Sequence, residues 1–351
     1  LKPADLFVIG GGPAGLAAAI AARRKGLNVT LADGARPPID KPCGEGLMPD
    51  GLAALRSLGV TLDAAEAQPF DGIRFVDGDV AVAAQFPEGH ALGVRRTVLH
   101  SRLVEAAAAA GVRMMWGASV SGLCAEGVCV AGETISAGWI AGADGFHSRV
   151  RSWAGLAVNQ PVSRRFGFRI HYRVAPWSGY MELHWGAGCQ IYVTPIGPQE
   201  VCAALISRDP HLRLDEALAR FPRLAARLEN APHATSERGA VTGNCSLPRV
   251  YRGNVALIGD ASGSVDAITG EGLCLSFQQA IALADSLASG DLARYQVAHR
   301  RLARGPTMMS NLMLAMDRRA WLRKPAFRAM AFEPRIFQTL LSFHLCVPHF
   351  S

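Results

Sequence analysis

Gly10-Gly11-Gly12-Pro13-Ala14-Gly15 follows the apolar run Leu6-Phe7-Val8-Ile9 and opens a stretch of small residues, Leu16–Lys25. The chemistry this spacing offers is the holding of a pyrophosphate. Gly10 allows a tight turn after a strand, Gly12 has no Cβ to keep a phosphate off the backbone, and Gly15 lets the helix lie close to the sheet. Pro13 and Ala14 fill the first helical turn, whose free N–H groups and partial positive charge point at the phosphates. A second strand, Asn28–Ala32, ends in Asp33, at the distance of about 20 residues where a carboxylate meets a ribose hydroxyl. Strand, glycines, helix, strand and acid in this order specify a dinucleotide cradle far better than the glycines alone. Nicotinamide and flavin dinucleotides both fit it.

Two later segments bear on that choice. Trp139-Ile140-Ala141-Gly142 runs into Ala143-Asp144-Gly145, and Val255-Ala256-Leu257-Ile258 runs into Gly259-Asp260-Ala261-Ser262-Gly263, continuing to Gly270-Glu271-Gly272-Leu273 and a helix. The second loop can place Asp260 on a ribityl chain. A helix N-terminus at Gly272-Leu273 can face a flavin ring edge that becomes anionic on reduction.

Over residues 5–290, in order and spacing, the three segments resemble the GxGxxG, DG and GD motifs of FAD-dependent oxidoreductases with the para-hydroxybenzoate hydroxylase fold. Within that superfamily, Lys41-Pro42-Cys43-Gly44-Glu45-Gly46-Leu47 and Gly259–Gly263 with Gly270–Gly272 look most similar to the geranylgeranyl reductase branch. Aromatic hydroxylases usually read Gly-Asp-Ala-Ala-His where this chain has Ser262-Gly263.

The resemblance implies an α/β fold: a Rossmann-like FAD-binding domain, an inserted antiparallel sheet roofing the flavin, and C-terminal helices. It implies FAD as cofactor. It places Arg96, or its neighbour Arg95, on the flavin phosphate or ribityl chain, where a guanidinium can fork onto oxygens. Asp144 would hold loops around the flavin and is associated with NADPH binding. Asp266 would order its own loop. The cofactor set is then Gly10, Gly12, Pro13, Ala14, Gly15, Asp33, Gly44, Arg96, Asp144, Gly259, Asp260, Gly270, Gly272 and Leu273.

The catalytic candidates are Cys43 and Glu45. In the resembling reductases their loop lines the substrate cavity, so Cys43 either donates a proton to a substrate carbon or packs there. Glu45 relays protons or accepts from backbone N–H groups. His171, His184 and Tyr192 fall on the inserted sheet, each on one of two faces. His100 and His147 read as helix-surface and loop residues. No second GxGxxG with its acid or Arg follows, so electrons would come from NAD(P)H docking transiently or from a separate redox partner. Two activities remain open: reduction of a carbon–carbon double bond in a large apolar substrate, and hydroxylation of an aromatic or polyketide-like ring.

Composition sets bounds. Of 351 residues, half are apolar and 19% charged, which supports a large core and argues against disorder. The net charge is +7. Basic residues thicken between Arg304 and Arg335 without an aromatic-interleaved stripe, so nucleic acid is a poor partner. A positive field suits FAD and NADPH phosphates or an anionic membrane surface. Eight cysteines (43, 124, 129, 189, 202, 245, 274, 346) show no CxxC pair and no metal spacing, and read as buried reduced thiols. No signal peptide precedes the first strand and no run is long enough to span a bilayer. The expectation is a cytosolic protein, monomeric or loosely associating, with membrane contact through the C-terminal helices as an option.

Along the chain, FAD-binding segments are expected at 1–70, 96–160 and 246–290, substrate-domain segments at 71–95 and 161–245, and C-terminal helices at 291–351. Period-two patterning gives four antiparallel strands between Arg164 and Arg208. Leu212–Leu228 reads as one amphipathic helix. Tyr295–Arg304, Met308–Trp321 and Ile336–Phe343 read as separate helices ahead of an aromatic end (Phe337, Phe343, Phe350), forming a lid, a partner face or simple packing.

Overall fold

The computed structural model describes residues 3–158 and 163–344; Cys346 and Phe350 lie outside them. The chain opens with β1 (Ala4–Ile9), α1 (Pro13–Arg24) and β2 (Val29–Asp33), then β3 (Gly46–Leu47) and α2 (Pro49–Ser57). β4 (Ala67–Phe70), β5 (Gly72–Asp77), β6 (Val80–Gln85) and β7 (Ala91–Val94) lead to α3 (Arg96–Ala109). β8 (Arg113–Trp116), β9 (Val120–Cys124), β10 (Gly127–Val130), β11 (Glu133–Gly142) and α4 (Arg149–Trp153) follow. Next come β12 (Ser163–Tyr172), β13 (Tyr180–Trp185), β14 (Cys189–Gly197), β15 (Glu200–Ser207), α5 (Leu214–Leu218), α6 (Pro222–Leu228) and β16 (Arg238–Asn244). β17 (Tyr251–Arg252), β18 (Val255–Leu257), two single 3₁₀ turns, α7 (Gly272–Ala288), α8 (Leu292–Arg318), α9 (Ala320–Phe332) and α10 (Pro334–His344) complete it.

The nucleotide-type sheet runs β17-β18-β11-β1-β2-β8. β1 is parallel to both β11 and β2, so the strand order reverses at β1. Ligands of open α/β sheets settle outside the strand C-termini at such a switch point. Phe7, Val8, Leu31 and Leu257 are fully buried, as strands covered on both faces require. α1 carries Ala17, Ala18, Ala19, Ala21 and Ala22 inward. These small side chains let it lie close to the sheet and to α7.

The roof is a seven-stranded sheet, β16-β12-β15-β14-β13-β5-β6. The four expected strands are present, but the sheet is mixed, because β13 pairs in parallel with β5. Period-two patterning finds strands; it cannot announce that a hairpin from a distant part of the chain joins their edge. β7 pairs instead with β3 and β4 in a small third sheet.

One face of the roof packs Ile170, Tyr172, Ile191 and Leu205 against α5 and α6. The expected single helix over Leu212–Leu228 is broken into these two, with Pro222 opening α6. Proline has no N–H to continue the ladder and excludes its predecessor from helical geometry. At the C-terminus the reverse holds: α8 runs through Pro306 as one helix where two were expected. It is held against α7 and the roof, which outweighs the local breaker. Phe75, Trp185, Phe327 and Phe337 join the C-terminal helices to the other face of the roof.

Candidate functional site: a dinucleotide crevice under a graded roof

The glycine loop, the DG segment and the GD segment converge at the C-terminal end of β1. Gly10 has φ +111°, and a Cβ there would come within 2.4 Å of the Ala143 carbonyl. A Cβ on Gly15 would lie 1.9 Å from the Gly10 carbonyl. A Cβ on Gly259 would meet that of Ala14 at 2.8 Å. These three glycines are close-packing residues that bring the motifs together. Gly12 differs: a Cβ there meets nothing within 4 Å. Its open side borders the N-terminus of α1, which has Pro13 in its first turn and no side-chain cap. Gly44, Gly270 and Gly272 also face open space, and α7 starts without a side-chain cap.

The polar groups around this space fit a phosphate-bearing ligand. Arg95 pairs with Glu200 on the roof, whereas the Arg96 side chain has a buried Nε with no partner. Among the described residues, Arg96 therefore keeps donor capacity that Arg95 has spent on the roof. The Asp260 side chain opens to solvent and makes no hydrogen bond among the described residues. Its backbone carbonyl, with that of Ala261, accepts from Arg151 at 2.7 and 2.9 Å. Asp33 receives the Gly11 N–H at 2.6 Å and the Ala35 N–H at 2.7 Å, one on each oxygen, and each oxygen keeps capacity for a hydroxyl. Leu273 is half-buried against the core.

Asp144 accepts from Ser148 Oγ at 2.5 Å and from the Arg149 and Val150 N–H groups. It orders the start of α4. Asp266 likewise accepts from Ile268 N–H and caps its 3₁₀ turn.

His100 is not the helix-surface residue expected. It is completely buried, and its Nε2–H donates to the Gly11 carbonyl at 2.9 Å, so α3 fixes the phosphate loop from behind. Burial pushes its pKa down, which keeps the ring neutral. Arg151 and His100 are positioning residues missed by motif reading. An arginine after the DG pair and a histidine in a helix carry no spacing signal of their own.

The loop Lys41–Leu47 is fastened to the roof by buried charges. Glu45 Oε1 accepts from the Arg96 backbone N–H at 2.9 Å and from Arg169 at 2.8 Å. Oε2 accepts from His171 Nε2 at 2.7 Å. Arg169 also forks onto Asp40 at 3.0 and 3.2 Å, and Thr194 donates to the Gly44 carbonyl at 2.6 Å. Glu45 holds φ +60°, a conformation that a non-glycine residue keeps only when its surroundings impose it.

Of the three roof candidates, His171 faces this loop and Tyr192 donates to the Ile268 carbonyl. His184 points to the opposite face, against Phe221. His147 is exposed. Cys43 is half-buried and free, its Sγ accepting from the Glu45 N–H at 3.3 Å. Crowding by protein pushes its thiol up against the pull of Arg96, so it carries its proton at neutral pH. Cys189, Cys202 and Cys274 are buried thiols, but Cys124 is exposed and Cys129 and Cys245 are half-buried.

The sequence offered no metal-ligand cluster. Among the described residues the fold gathers two groups within 4.8 Å, Glu45–His171–Cys202 and Asp50–Glu271–Cys274. Burial drives both thiols well up, and a protonated thiol is not a metal ligand. Arg169 already occupies Glu45.

Beside this charged half, the roof turns apolar. A cavity of about 180 Å³ lies between β5, β13, β14 and the C-terminal helices. Among its lining residues only Tyr192 and Thr269 bear a side-chain nitrogen or oxygen, and methionines 181, 309, 313, 316 and 330 supply much of the rest. The cavity reaches Ile268 and Thr269, immediately before Gly270, so it abuts the loop that closes the dinucleotide crevice. The C-terminal helices therefore line a pocket as well as packing on the domain.

A histidine on α8 gives this arrangement a pH signature. His299 donates to Ser262 Oγ at 2.9 Å in the GD loop, and burial, with a smaller push from Arg300, lowers its pKa to about 4. Between the free-histidine pKa and 4 the unfolded chain binds a proton that the folded chain refuses, so stability falls as pH falls through that window. The expected loss from pH 7 to pH 4 is about 2–3 kcal/mol from this group. Urea melts at both pH values should show it for the parent protein, and a smaller difference for His299→Gln. Equal slopes in the two proteins would refute the assignment.

A Rossmann-type crevice at a strand switch point, under a mixed-sheet roof with an apolar pocket, defines a dinucleotide-binding oxidoreductase. The chain belongs to the FAD binding domain family, which it matches over residues 4–290; it is an FAD-dependent oxidoreductase. It is 31% identical to menaquinone reductase of Mycobacterium tuberculosis over 83% of this chain and 78% of that protein. It is 26% identical to a putative FAD-dependent monooxygenase of Bacillus subtilis, over 93% and 97% of the two chains. In fold it is similar to a geranylgeranyl bacteriochlorophyll reductase-like protein from Thermoplasma acidophilum, with TM-score 0.75 at 19% identity over 88% and 87% of the chains.

Proposed function

We propose that this protein reduces carbon–carbon double bonds in a long apolar molecule of prenyl or quinone-like type. The observation that carries the reading is the lining of the pocket. A site built for a phenol or another hydroxylated ring needs polar groups aimed at it. Here Tyr192 has spent its hydroxyl on the Ile268 carbonyl and Thr269 its own on the Asp266 carbonyl, and the remaining surface is methionine, leucine, isoleucine, alanine and phenylalanine. Unbranched methionines adapt to flexible aliphatic chains.

Gly12, the α1 N-terminus and Arg96 would hold the pyrophosphate, Asp33 the adenosine ribose, and Asp260 the ribityl region. When bound and reduced, FAD supplies a hydride. The protein's share is to exclude water, to orient the substrate from the pocket, and to hold a proton for the second carbon. Cys43, in its thiol form, is the candidate donor, with water as the other source. Asp144, Asp266 and Glu45 serve as ordering residues. NAD(P)H is the proposed reductant, docking transiently because the described residues form no second nucleotide fold; a redox partner would serve equally.

The test separates reduction from oxygenation by mass. The FAD-loaded protein is reduced chemically without air and given a geranylgeranyl lipid or a menaquinone, then the incubation is repeated in air with NAD(P)H. Products heavier by two hydrogens per double bond reduced, with the gain kept after any quinol has been reoxidised, are expected under both conditions. Oxygen-containing products formed only in air would overturn the proposal in favour of a monooxygenase.

A further inference from the structure

Among the described residues, the exposed large apolar side chains are Val297, Met308, Leu312, Trp321, Phe332 and Ile336. All lie on α8, α9 and α10. Leu312 and Ile336 are both exposed and line the apolar cavity, so its mouth opens between α8 and α10. On α9, Trp321, Lys324, Arg328 and Phe332 recur at helical spacing on one outward stripe, while Arg323, Phe327 and Met330 face the roof. Trp321 is 71% and Phe332 93% exposed. An aromatic residue at each end with cations between them is the pattern of a helix lying in a lipid interface, where the long basic side chains reach outward to headgroups.

The charge agrees. From Leu292 to Leu341 the basic residues are Arg294, Arg300, Arg301, Arg304, Arg318, Arg319, Arg323, Lys324, Arg328 and Arg335, against Asp317 and Glu333. Asp317 is buried beneath Arg165 and Arg208. Arg323 is likewise buried, against Asp77, and the other cations here still outnumber the acids by as much as the formal +7 of the whole chain. None of the described helices is long and apolar enough to cross a membrane.

We infer that the outer face of α8–α10 docks on an anionic lipid bilayer and admits a bilayer-dissolved substrate between Leu312 and Ile336. The docking stands on the exposed face; the admission rests on the reading of the cavity as the substrate site. The FAD-loaded chain should cosediment with phosphatidylcholine vesicles containing phosphatidylglycerol, and much less with phosphatidylcholine alone. Trp321→Ser with Phe332→Ser should weaken binding by roughly tenfold or more through lost interfacial burial. Lys324→Gln with Arg328→Gln should weaken it by about tenfold on anionic vesicles only, as should added salt. Neither pair touches the cavity or the crevice, so flavin content and turnover of a detergent-dispersed substrate should hold. Absence of vesicle binding, or equal binding by the Trp321/Phe332 variant, overturns the inference. So does a dimer that dissociates on that double substitution without any vesicle binding, which would make a second copy the occupant. Vesicle binding is read without substrate, so its failure leaves the pocket assignment standing, and failed turnover leaves the docking standing.

Discussion

Gly12→Val is expected to yield a folded, colourless protein. The backbone at Gly12 is extended, with φ −72° and ψ 176°, a conformation valine accepts readily. A Cβ there meets no protein atom within 4 Å, so the apoprotein has nothing to repack. In the proposed placement the same space is where a pyrophosphate reaches the α1 N-terminus, and the branched side chain closes it. Losing two or more charge-assisted hydrogen bonds at roughly 1.5–3 kcal/mol each lowers FAD affinity by about a hundredfold or more. Gly15→Ala supplies the contrast. Its Cβ strikes the Gly10 carbonyl at 1.9 Å, so α1 must leave the sheet and folding itself suffers. The check is FAD content by absorbance together with the melting temperature of the flavin-stripped proteins. A Gly12→Val protein that keeps full flavin would move the phosphates away from this loop.

That contrast shows what a sequence can and cannot carry. Glycines in the cradle are legible because each answers a demand that a side chain fails, a turn at Gly10, open space at Gly12 and close packing at Gly15, at fixed spacing. Asp33 and Asp260 are legible because a strand end fixes where they stand. The roof network is different. Glu45 meets Arg169 across 124 residues of chain, and nothing local to either says which face of β12 covers which loop. His171 therefore stood at even odds with His184, and β-strand alternation put them on opposite sides. The pocket was hidden for a similar reason. The apolar stripe of α8 announces a buried face, but not that the face it meets leaves a cavity beside Ile268. The Pro222 break and the unbroken Pro306 carry the same lesson: a local rule holds until tertiary packing outweighs it.

Removing the carboxylate at Glu45 is expected to produce a large loss of stability. Both oxygens are engaged, by the Arg96 N–H, Arg169 and His171, and the side chain is buried. Glu45→Ala leaves Arg169 with Asp40 alone and takes the acceptor from the Arg96 N–H and from His171, and buried donors left unmade cost about 1–3 kcal/mol each. The left-handed backbone at φ +60° then loses the contacts that impose it, and the loop bearing Cys43 loosens over the crevice. Arg169→Met in the Glu45→Ala background should recover part of the loss, because a buried guanidinium that has lost one of its two carboxylates goes with it. Asp40 keeps Arg238 at 2.9 Å as its partner, so the second substitution does not simply move the fault. Denaturant melts of the single and double variants measure this, and the pH profile of turnover separates the two roles proposed for the residue. A positioning Glu45 gives reduced turnover with the parent's pH profile. A variant that stays within about 1 kcal/mol of the parent yet loses one limb of the profile would make Glu45 the proton relay, and the network around it scaffolding for that proton.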